Sequence, residues 1–306
     1  MAMWKELLKE GVKRVRDFEN SRTVPVTRLP RLGLALGGGF ARGVAHVGVM
    51  RVLEQEGIHI SCIAGISVGA LIAATYASGA PLESIADRAC RTTFRDFARW
   101  HLSRYGLASN DRLEGYLYEF CGKRRIEELK IPLAIATTDL LSGHSVYFTK
   151  GETGPALRAS CAYPGLFEPV EIDGHVLVDG FVGTPVPVDA ARVLGAEVVI
   201  AVYLGMGTAR EKPRNMVEIL WRSFSIMQKN SLRDIYDRCD VVIEPDVSSF
   251  MWDDFHRGRE LVAAGEAAAR AALPKIRSLM APREFRAVEE NAGIKLKLAP
   301  RSSPLP

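Results

Sequence analysis

Short apolar runs alternate along the chain with longer segments of helical periodicity. The strand-like runs are rich in Val, Ile, Leu and Ala and occupy residues 32–36, 60–63, 133–137, 146–149, 198–203 and 241–243. The helix-like segments occupy residues 44–56, 70–77, 112–121, 188–194, 216–236 and 259–279. Because buried strands that alternate with helices form sheets covered on both faces, this pattern predicts a three-layer α/β/α fold with a mostly parallel central sheet.

The chain has 306 residues, which is long enough to bury one large core. We predict a core domain over residues 31–282 and a basic amphipathic helix within residues 1–30. An extension over residues 283–306 follows, and its end, rich in Pro and Ser, is expected to be disordered.

A candidate nucleophile lies in the segment Gly65-Ile66-Ser67-Val68-Gly69, between a strand-like run and a helix-like run. A serine at the apex of a sharp strand-to-helix turn needs small residues two positions before and after it, because larger side chains would clash with the turn. The turn also places the serine oxygen at a helix N-terminus, where unpaired N–H groups favour negative charge. The pattern is short enough to occur by chance, so it makes Ser67 a candidate and no more.

Three successive glycines, Gly37, Gly38 and Gly39, follow the first strand-like run. Such a loop turns sharply and exposes its N–H groups. Its spacing excludes a dinucleotide fingerprint, because Arg42 stands where the last glycine would be, and it excludes a P-loop, because Val44 stands where lysine is required. The loop is therefore either a cradle for an oxyanion or a tight turn that only packs closely.

Asp179 follows the second strand of a predicted hairpin. Residues 170–173 and 175–178 have strand-like composition, and the Asp173-Gly174 pair where they meet is a strong signal for a two-residue turn. Asp179 then lies at the far end of the returning strand. Its carboxylate is expected either to serve a site there or to open the turn that precedes Pro185.

In this order and spacing, the glycine loop, the serine turn and the Asp179-Gly180 pair resemble the patatin-like phospholipases. The closest likeness is to the bacterial single-domain members, which are related to the catalytic domain of neuropathy target esterase. The resemblance covers about residues 31–250 and includes the segment 159–169. It implies a hydrolase that cleaves fatty-acyl esters of phospholipids, lysophospholipids or related lipids, without a cofactor or a metal ion.

By the same resemblance, Ser67 is the nucleophile, Asp179 is its partner in a Ser–Asp dyad, and the loop from Gly37 to Gly39 supplies the oxyanion hole. The chain departs from the family at Phe181, since D-G-G or D-G-A is usual there. A ring at this position is expected to narrow the acyl channel or to displace Asp179. A catalytically silent, lipid-binding or regulatory protein of the same fold is therefore the alternative.

Three further side chains near the motifs admit more than one role. Ser67, Asp179 and His256 occur in the chain order of an α/β-hydrolase triad, but too few strands precede Ser67 for that fold, and His256 is expected on the surface. Arg42 is expected to pair with a carboxylate or with the phosphate of a lipid head group, because a cation at a helix start opposes the helix dipole. His46 is expected to pack in the core.

The net charge of +4 is concentrated at the N-terminus, where residues 1–31 hold eight Lys and Arg and four Asp and Glu. Apolar residues recur there at helical spacing, beginning with Trp4. Such a helix either lies on an anionic membrane surface or packs on the domain or on another subunit. The balanced charge of the remaining chain predicts no nucleic-acid partner.

Five widely spaced cysteines without a C-x-x-C pair predict reduced thiols and no zinc site. The first twenty residues lack the apolar stretch of a secretion signal. The expected location is the cytoplasm, with a peripheral contact of the N-terminal helix on the inner face of the membrane.

Overall fold

A computed structural model of the chain describes residues 26–122, 125–205, 212–213, 216–290 and 293–298. The chain divides into two compact units, Arg31–Leu279 and a smaller unit made of Met1–Pro30 and Met280–Pro306. The predicted N-terminal helix and the Pro- and Ser-rich end of the chain lie outside the described residues. The division of the chain into a helix, a core domain and an extension stays a prediction.

Thirteen strands are described. They are β1 (Val26–Arg28), β2 (Leu32–Leu36), β3 (Cys62–Gly65), β4 (Arg99–Trp100), β5 (Ala108–Ser109), β6 (Leu133–Asp139), β7 (Ser145–Phe148), β8 (Val170–Ile172), β9 (His175–Asp179), β10 (Val198–Val202), β11 (Val241–Ile243), β12 (Arg283–Glu290) and β13 (Gly293–Leu298).

The described part of the chain holds nine α-helices. They are α1 (Ala45–Gln55), α2 (Val68–Ala77), α3 (Leu82–Arg91), α4 (Phe94–Phe97), α5 (Arg112–Cys121), α6 (Thr153–Ser160), α7 (Val188–Val193), α8 (Met216–Arg238) and α9 (Gly258–Leu279). None of these helices has the length and apolar character that crossing a membrane requires.

The large unit is built on an eight-stranded sheet in the order β11-β10-β2-β3-β6-β9-β8, with β7 also paired to β6. The strands from β11 to β6 are parallel, whereas β7, β8 and β9 run antiparallel at one side. Leu36 of β2 pairs with Gly65 of β3 and with Val202 of β10. The carboxyl ends of these three strands therefore lie at the same edge of the sheet.

The two faces of the sheet carry residues of different size, because successive side chains of a strand point to opposite faces. Ala35, Ala64, Ala134 and Ala201 form one cluster with the alanines of α7 and with Ile235 of α8. Their larger neighbours along the same strands, such as Leu34 and Ile63, are fully buried as well. Helix α2 packs on β3 and β6. The arrangement confirms the predicted α/β fold with a mixed, mostly parallel sheet.

Most predicted elements are present with ends that differ by one or two residues. The predicted strand over residues 60–63 lies two residues later, as Cys62–Gly65, so Gly65 belongs to the strand and not to the turn. The predicted hairpin is present, and Asp173 and Gly174 both have positive φ, of 50° and 82°. This conformation is the one that a two-residue turn with an Asp-Gly pair requires.

Several elements were not predicted. Helix α3 is largely polar and buries only Leu82, Ile85 and Ala86, and helix α6 contains Gly154 and Pro155 in its first turn. Propensity alone does not favour a helix at either place, so tertiary packing decides. In the small unit, β1 pairs with β12, which pairs with β13. A truncation that tests the N-terminal segment should therefore end before Val26.

Helices α1 and α9 pack closely against each other at two glycines, Gly48 and Gly265. A Cβ on Gly265 would overlap the backbone of Ala45, and a Cβ on Gly48 would overlap the backbone of Val262. We expect Gly265→Ala to destabilise the protein by about 3 kcal/mol, because two packed backbones cannot move apart without opening the core. Urea denaturation measures the change.

Gly115 in α5 is the matched control, since a Cβ there meets nothing within 4 Å. We expect Gly115→Ala to be neutral or to stabilise the protein by about 0.5–1 kcal/mol, because alanine restricts the unfolded chain. Equal effects of the two substitutions would contradict the close approach of α1 and α9.

Candidate active site

Ser67 lies between β3 and α2 in a strained backbone conformation, with φ 54° and ψ −126°. A non-glycine residue rarely adopts positive φ, and such a residue is maintained only where the surrounding structure compensates. The two flanking glycines allow the turn. A Cβ on Gly65 would overlap the backbone of Ala70, and a Cβ on Gly69 would lie 2.6 Å from the Gly37 carbonyl oxygen. The predicted strand-turn-helix geometry is thus present around Ser67.

A buried side chain fixes the backbone of this turn. The Ser67 N–H donates to the Ser160 hydroxyl oxygen at 2.9 Å, and the Ser160 hydroxyl donates to the Ala136 carbonyl at 2.7 Å. Ser160 is fully buried at the end of α6. Because its oxygen both accepts and donates, it connects the serine turn to the neighbouring strand β6. Sequence analysis did not identify this role, although Ser160 belongs to the segment that carries the family resemblance.

Asp179 is buried next to Ser67. It ends strand β9, where it pairs with Thr137 of β6, and its backbone N–H donates to the Ala162 carbonyl at 3.0 Å. Its carboxylate accepts a hydrogen bond from the Phe181 N–H at 2.9 Å and interacts with the Ser67 side chain. Burial raises the pKa of Asp179 to about 7, and these two interactions oppose the rise.

A carboxyl group with a pKa near 7 exchanges its proton readily at neutral pH, which is the property of a general base. The fold creates this property by desolvation, since water would otherwise stabilise the carboxylate. The structure thus brings the two residues that sequence analysis singled out to the wall of the same small cavity.

The glycine loop crosses the carboxyl end of β2 beside Ser67. The Gly37 N–H donates to the Val202 carbonyl at 3.1 Å, and the Gly37 carbonyl accepts from His46 at 2.9 Å. Within the described residues, the N–H groups of Gly38 and Gly39 donate to no protein acceptor. A Cβ on Gly38 would lie 3.7 Å from the Ser67 Cβ. Gly38 and Gly39 line one small cavity together with Ser67.

Ser67 lines two cavities. The small one has a volume of about 10 Å³ and is formed by Ser67, Asp179, Gly38, Gly39 and three aromatic side chains, those of Phe40, Tyr163 and Phe181. This volume is close to the space that one water molecule occupies. The Tyr163 hydroxyl is buried and has no hydrogen-bond partner in the described part of the chain.

The large cavity has a volume of about 100 Å³ and runs away from Ser67 between α2, α3 and α5. Its walls are mostly apolar, and they include Val68, Leu71, Leu113 and Phe167. Arg88, Thr92 and Tyr116 also line it, and Arg88 lies over the Tyr116 ring with its guanidinium carbon 4.9 Å from the ring centroid. The arrangement fits an elongated apolar group whose reactive end lies at Ser67.

Phe181 is buried and belongs to an aromatic and aliphatic cluster with Tyr163 and Phe167. It lines the small cavity but is not among the residues described around the large one. Its carbonyl accepts a hydrogen bond from the Gln228 side chain of helix α8, which also donates to the Val182 carbonyl at 3.1 Å. The Phe181 backbone N–H holds the Asp179 carboxylate, so the residue occupies a fixed place beside the two candidates.

Arg42 is buried, and its Nε donates to the Phe250 carbonyl at 3.0 Å. Burial lowers the pKa of Arg42, and the nearby Asp254 opposes this effect. Within the described chain, Arg42 lines neither of the two cavities around Ser67. Arg42 therefore lies buried beside Asp254, and its role in substrate or charge contact stays a prediction.

His256 is exposed in a short 3-10 helix before α9. His46 is fully buried, and burial lowers its pKa to about 4. Both histidines thus have the environments expected from the sequence. No group of side chains that could hold a metal ion is found within the described residues.

The sequence profile of the family described as patatin-like phospholipase matches residues 34–192 of the chain. An uncharacterized NTE family protein of Mycobacterium bovis is 36% identical over 212 residues, which are 67% of this chain and 58% of that protein. Lysophospholipase nte1 of Aspergillus fumigatus is 32% identical over 180 residues, which are 57% of this chain and 12% of that protein. The chain thus spans 58% of the length of its mycobacterial relative.

Among solved structures, VipD from Legionella pneumophila superimposes with a TM-score of 0.47 at 13% sequence identity, over 87% of this chain and 70% of that one.

The raised pKa of Asp179 gives a prediction about stability. An unfolded aspartate has a pKa of 3.8, so below this pH the carboxyl group is protonated in both the folded and the unfolded protein. As the pH rises from 3.8 toward 7, only the unfolded protein releases the proton. The wild-type protein therefore loses stability across this interval. We expect Asp179→Asn to be more stable than the wild type at pH 8, by up to about 4 kcal/mol, and the difference to vanish near pH 4.

Chemical denaturation at the two pH values measures this difference. An Asn variant that is less stable than the wild type at pH 8 would show that the ionised carboxylate stabilises the fold.

Proposed function

Because the chain belongs to the patatin-like phospholipase family, we propose that it is a serine acyl hydrolase that cleaves fatty-acyl esters of phospholipids or lysophospholipids. Ser67 is the nucleophile, Asp179 is the general base, and Gly38 and Gly39 supply the oxyanion hole. The observation that carries the proposal is that Ser67 and the buried Asp179 carboxylate line one small cavity together with Gly38 and Gly39. Burial raises the pKa of this carboxylate to about 7.

In the first half of the reaction, the Ser67 Oγ attacks the ester carbonyl carbon while Asp179 accepts the hydroxyl proton. The carbonyl oxygen becomes an oxyanion, and the N–H groups of Gly38 and Gly39 stabilise it. When the bond to the alcohol breaks, the protonated Asp179 donates its proton to the leaving oxygen. The products of this half-reaction are an alcohol and an acyl group bound to Ser67.

In the second half, a water molecule attacks the acyl-enzyme and gives a proton to Asp179. The oxyanion forms again in the same place. The fatty acid then leaves, and Ser67 recovers its proton from Asp179. A cavity of about 10 Å³ between Ser67 and Asp179 has room for this one water molecule.

The large cavity supports a lipid substrate. Its walls are mostly apolar and include Leu71 and Phe167, so they suit an acyl chain. The cavity begins at Ser67, where the ester has to lie. A relative with 32% identity carries the name lysophospholipase. We therefore propose monoacyl phospholipids as the first substrates to assay.

A silent protein and a catalytic triad are the two competing hypotheses. A silent lipid-binding protein would follow if Phe181 blocked the site, but its backbone N–H holds the Asp179 carboxylate in place instead of displacing it. A Ser-His-Asp triad would require His256. The exposure of this side chain favours the dyad, and so does the small cavity that Ser67 and Asp179 line together.

We further propose that the predicted basic helix within residues 1–30 contributes a peripheral contact with an anionic membrane, because the net positive charge of the chain is concentrated in residues 1–31. Residues 1–25 lie outside the described residues, so the proposal rests on the charge and periodicity of the sequence.

The dyad predicts the effect of single substitutions on hydrolysis. We expect Ser67→Ala and Asp179→Asn each to lower kcat on a monoacyl phospholipid by about a thousandfold or more, because neither half-reaction proceeds without a nucleophile or a base. Circular dichroism and thermal denaturation establish that each variant is folded. Released fatty acid is the measured quantity.

His256→Ala is the control, and we expect it to keep near-normal activity. A loss as large as that of Asp179→Asn would replace the dyad with a triad. Hydrolysis that persists in folded Ser67→Ala would refute the assignment of the nucleophile. A wild-type protein that binds but does not cleave the lipid would support the silent protein.

A further inference from the structure

The hairpin of β4 and β5 presents three large apolar side chains to solvent. Trp100 is 71% exposed, Leu102 is 80% exposed and Tyr105 is 70% exposed. The hairpin itself is well held, since its strands pair and Arg99 forms an ion pair with Asp111 at 2.8 Å. Large apolar side chains clustered at the tip of a stable element indicate a partner that covers them.

A chain of stacked rings connects the hairpin to the cavity at Ser67. Trp100 stacks on Phe94 with ring centroids 4.9 Å apart, and Phe94 stacks on Phe167 at 6.2 Å. Phe167 lines the large cavity together with Ser67. The exposed hairpin tip is therefore attached directly to a wall of the proposed acyl site.

Helix α8 presents a second exposed apolar stripe beside the same wall. Met216, Ile219 and Ile226 are 64%, 51% and 64% exposed. The inner side of the helix contacts the segment that precedes Phe167, since the rings of Phe224 and Tyr163 lie 6.0 Å apart. The hairpin contacts that segment too, because the Leu107 N–H donates to the Leu166 carbonyl at 3.0 Å.

We call these two groups together the apolar rim. It consists of Trp100, Leu102, Tyr105, Met216, Ile219 and Ile226. Both of its elements are net basic, with four Arg against two Asp over residues 94–112 and four Lys and Arg against three Asp and Glu over residues 216–238. Residues 32–306 as a whole have balanced charge.

We propose that the apolar rim inserts into the surface of an anionic phospholipid membrane and brings acyl chains to the cavity at Ser67. Tryptophan, tyrosine and leucine with nearby arginines are the combination that settles at a membrane interface, where the rings bury their apolar parts and the cations meet lipid phosphates. The delivery of acyl chains rests on the proposed function, whereas insertion does not.

The test measures insertion in the full-length chain with Ser67→Ala, so that its outcome does not depend on hydrolysis. Vesicles of phosphatidylcholine and phosphatidylglycerol are compared with vesicles of phosphatidylcholine alone. We expect Leu102→Ser with Tyr105→Ser to weaken binding to the anionic vesicles by about tenfold or more, because two buried apolar side chains are lost. We also expect lipids brominated on the acyl chain to quench the tryptophan fluorescence, and Trp100→Phe to reduce this quenching.

Val193→Ser is the matched control. Val193 is 65% exposed at the end of α7, before β10, at the edge of the sheet opposite Ser67. We expect this variant to bind vesicles normally. Vesicle binding and quenching that are unchanged in the hairpin variants would overturn the proposal. It would also be overturned if light scattering showed that the wild type is a dimer and that the hairpin substitutions, but not Val193→Ser, dissociate it.

His46 supports a second inference, and this inference does not depend on the apolar rim. The His46 side chain is fully buried in α1, and its Nε2 lies 2.9 Å from the Gly37 carbonyl oxygen. A carbonyl oxygen can only accept, so Nε2 carries the proton and donates it. In a trans peptide unit, the carbonyl of one residue and the N–H of the next point in opposite directions. The hydrogen bond from His46 to Gly37 therefore fixes the direction of the Gly38 N–H.

We infer that His46 is a positioning residue for the oxyanion hole. Gly37 is fixed from both ends, because its N–H donates to Val202 and its carbonyl accepts from His46. The next peptide N–H is then oriented before any substrate arrives, and an oriented donor stabilises the transition state more than one that must reorganise. Burial keeps the ring neutral at neutral pH, since its pKa is lowered to about 4. This inference rests on the proposed function.

The test compares His46→Gln, whose amide N–H can still donate to Gly37, with His46→Leu, which removes the donor. We expect His46→Leu to lower kcat on a soluble ester by about a hundredfold with little change in KM, and His46→Gln to recover most of the rate. Thermal denaturation of both variants identifies any general loss of folding.

Equal kcat values for the two variants at equal stability would overturn the positioning role. An active wild type with an unaffected His46→Leu would overturn it as well and leave the dyad intact. An inactive wild type would refute the proposed function instead, so the two failures are distinguishable.

Discussion

Desolvation of the Asp179 carboxylate is the constraint on which the candidate site depends. Asp179 lies at the end of β9 and pairs through its backbone with β6, and its carboxylate accepts a hydrogen bond from the Phe181 N–H. Burial destabilises its charged form and raises its pKa to about 7. The buried Asp179 carboxylate therefore lowers the free energy of unfolding at neutral pH. Such a cost is typical of residues at functional sites.

The parallel sheet brings the remaining groups to this carboxylate. Because Leu36 and Gly65 are paired, the glycine loop after β2 and the serine turn after β3 leave the sheet side by side. Ser160 secures the serine turn to β6, and His46 secures the glycine loop to α1. The strained backbone of Ser67 is thus held by the hydrogen bond from its N–H to Ser160, which is in turn bonded to β6.

The sequence predicted the parts of the site that depend on local backbone geometry. Ser67 with its flanking glycines, the glycine loop, and the Asp173-Gly174 turn that places Asp179 all leave a signal within a few residues. The contributions of Ser160 and His46 could not be predicted, because their partners, Ala136 and Gly37, are defined only by the tertiary structure. The hairpin tip at Trp100 was missed for a similar reason, since exposure of an apolar residue is not visible in a sequence.

The most direct test of the account is the pH dependence of the reaction of Ser67 with a fluorophosphonate, measured as a second-order rate constant between pH 5 and pH 9. If a buried Asp179 with a pKa near 7 accepts the serine proton, the rate should rise about tenfold per pH unit below 7 and reach a plateau above it. In Asp179→Asn the rate should be low and lack this inflection. A wild-type rate that does not change with pH, or an Asn variant with the wild-type profile, would contradict the dyad.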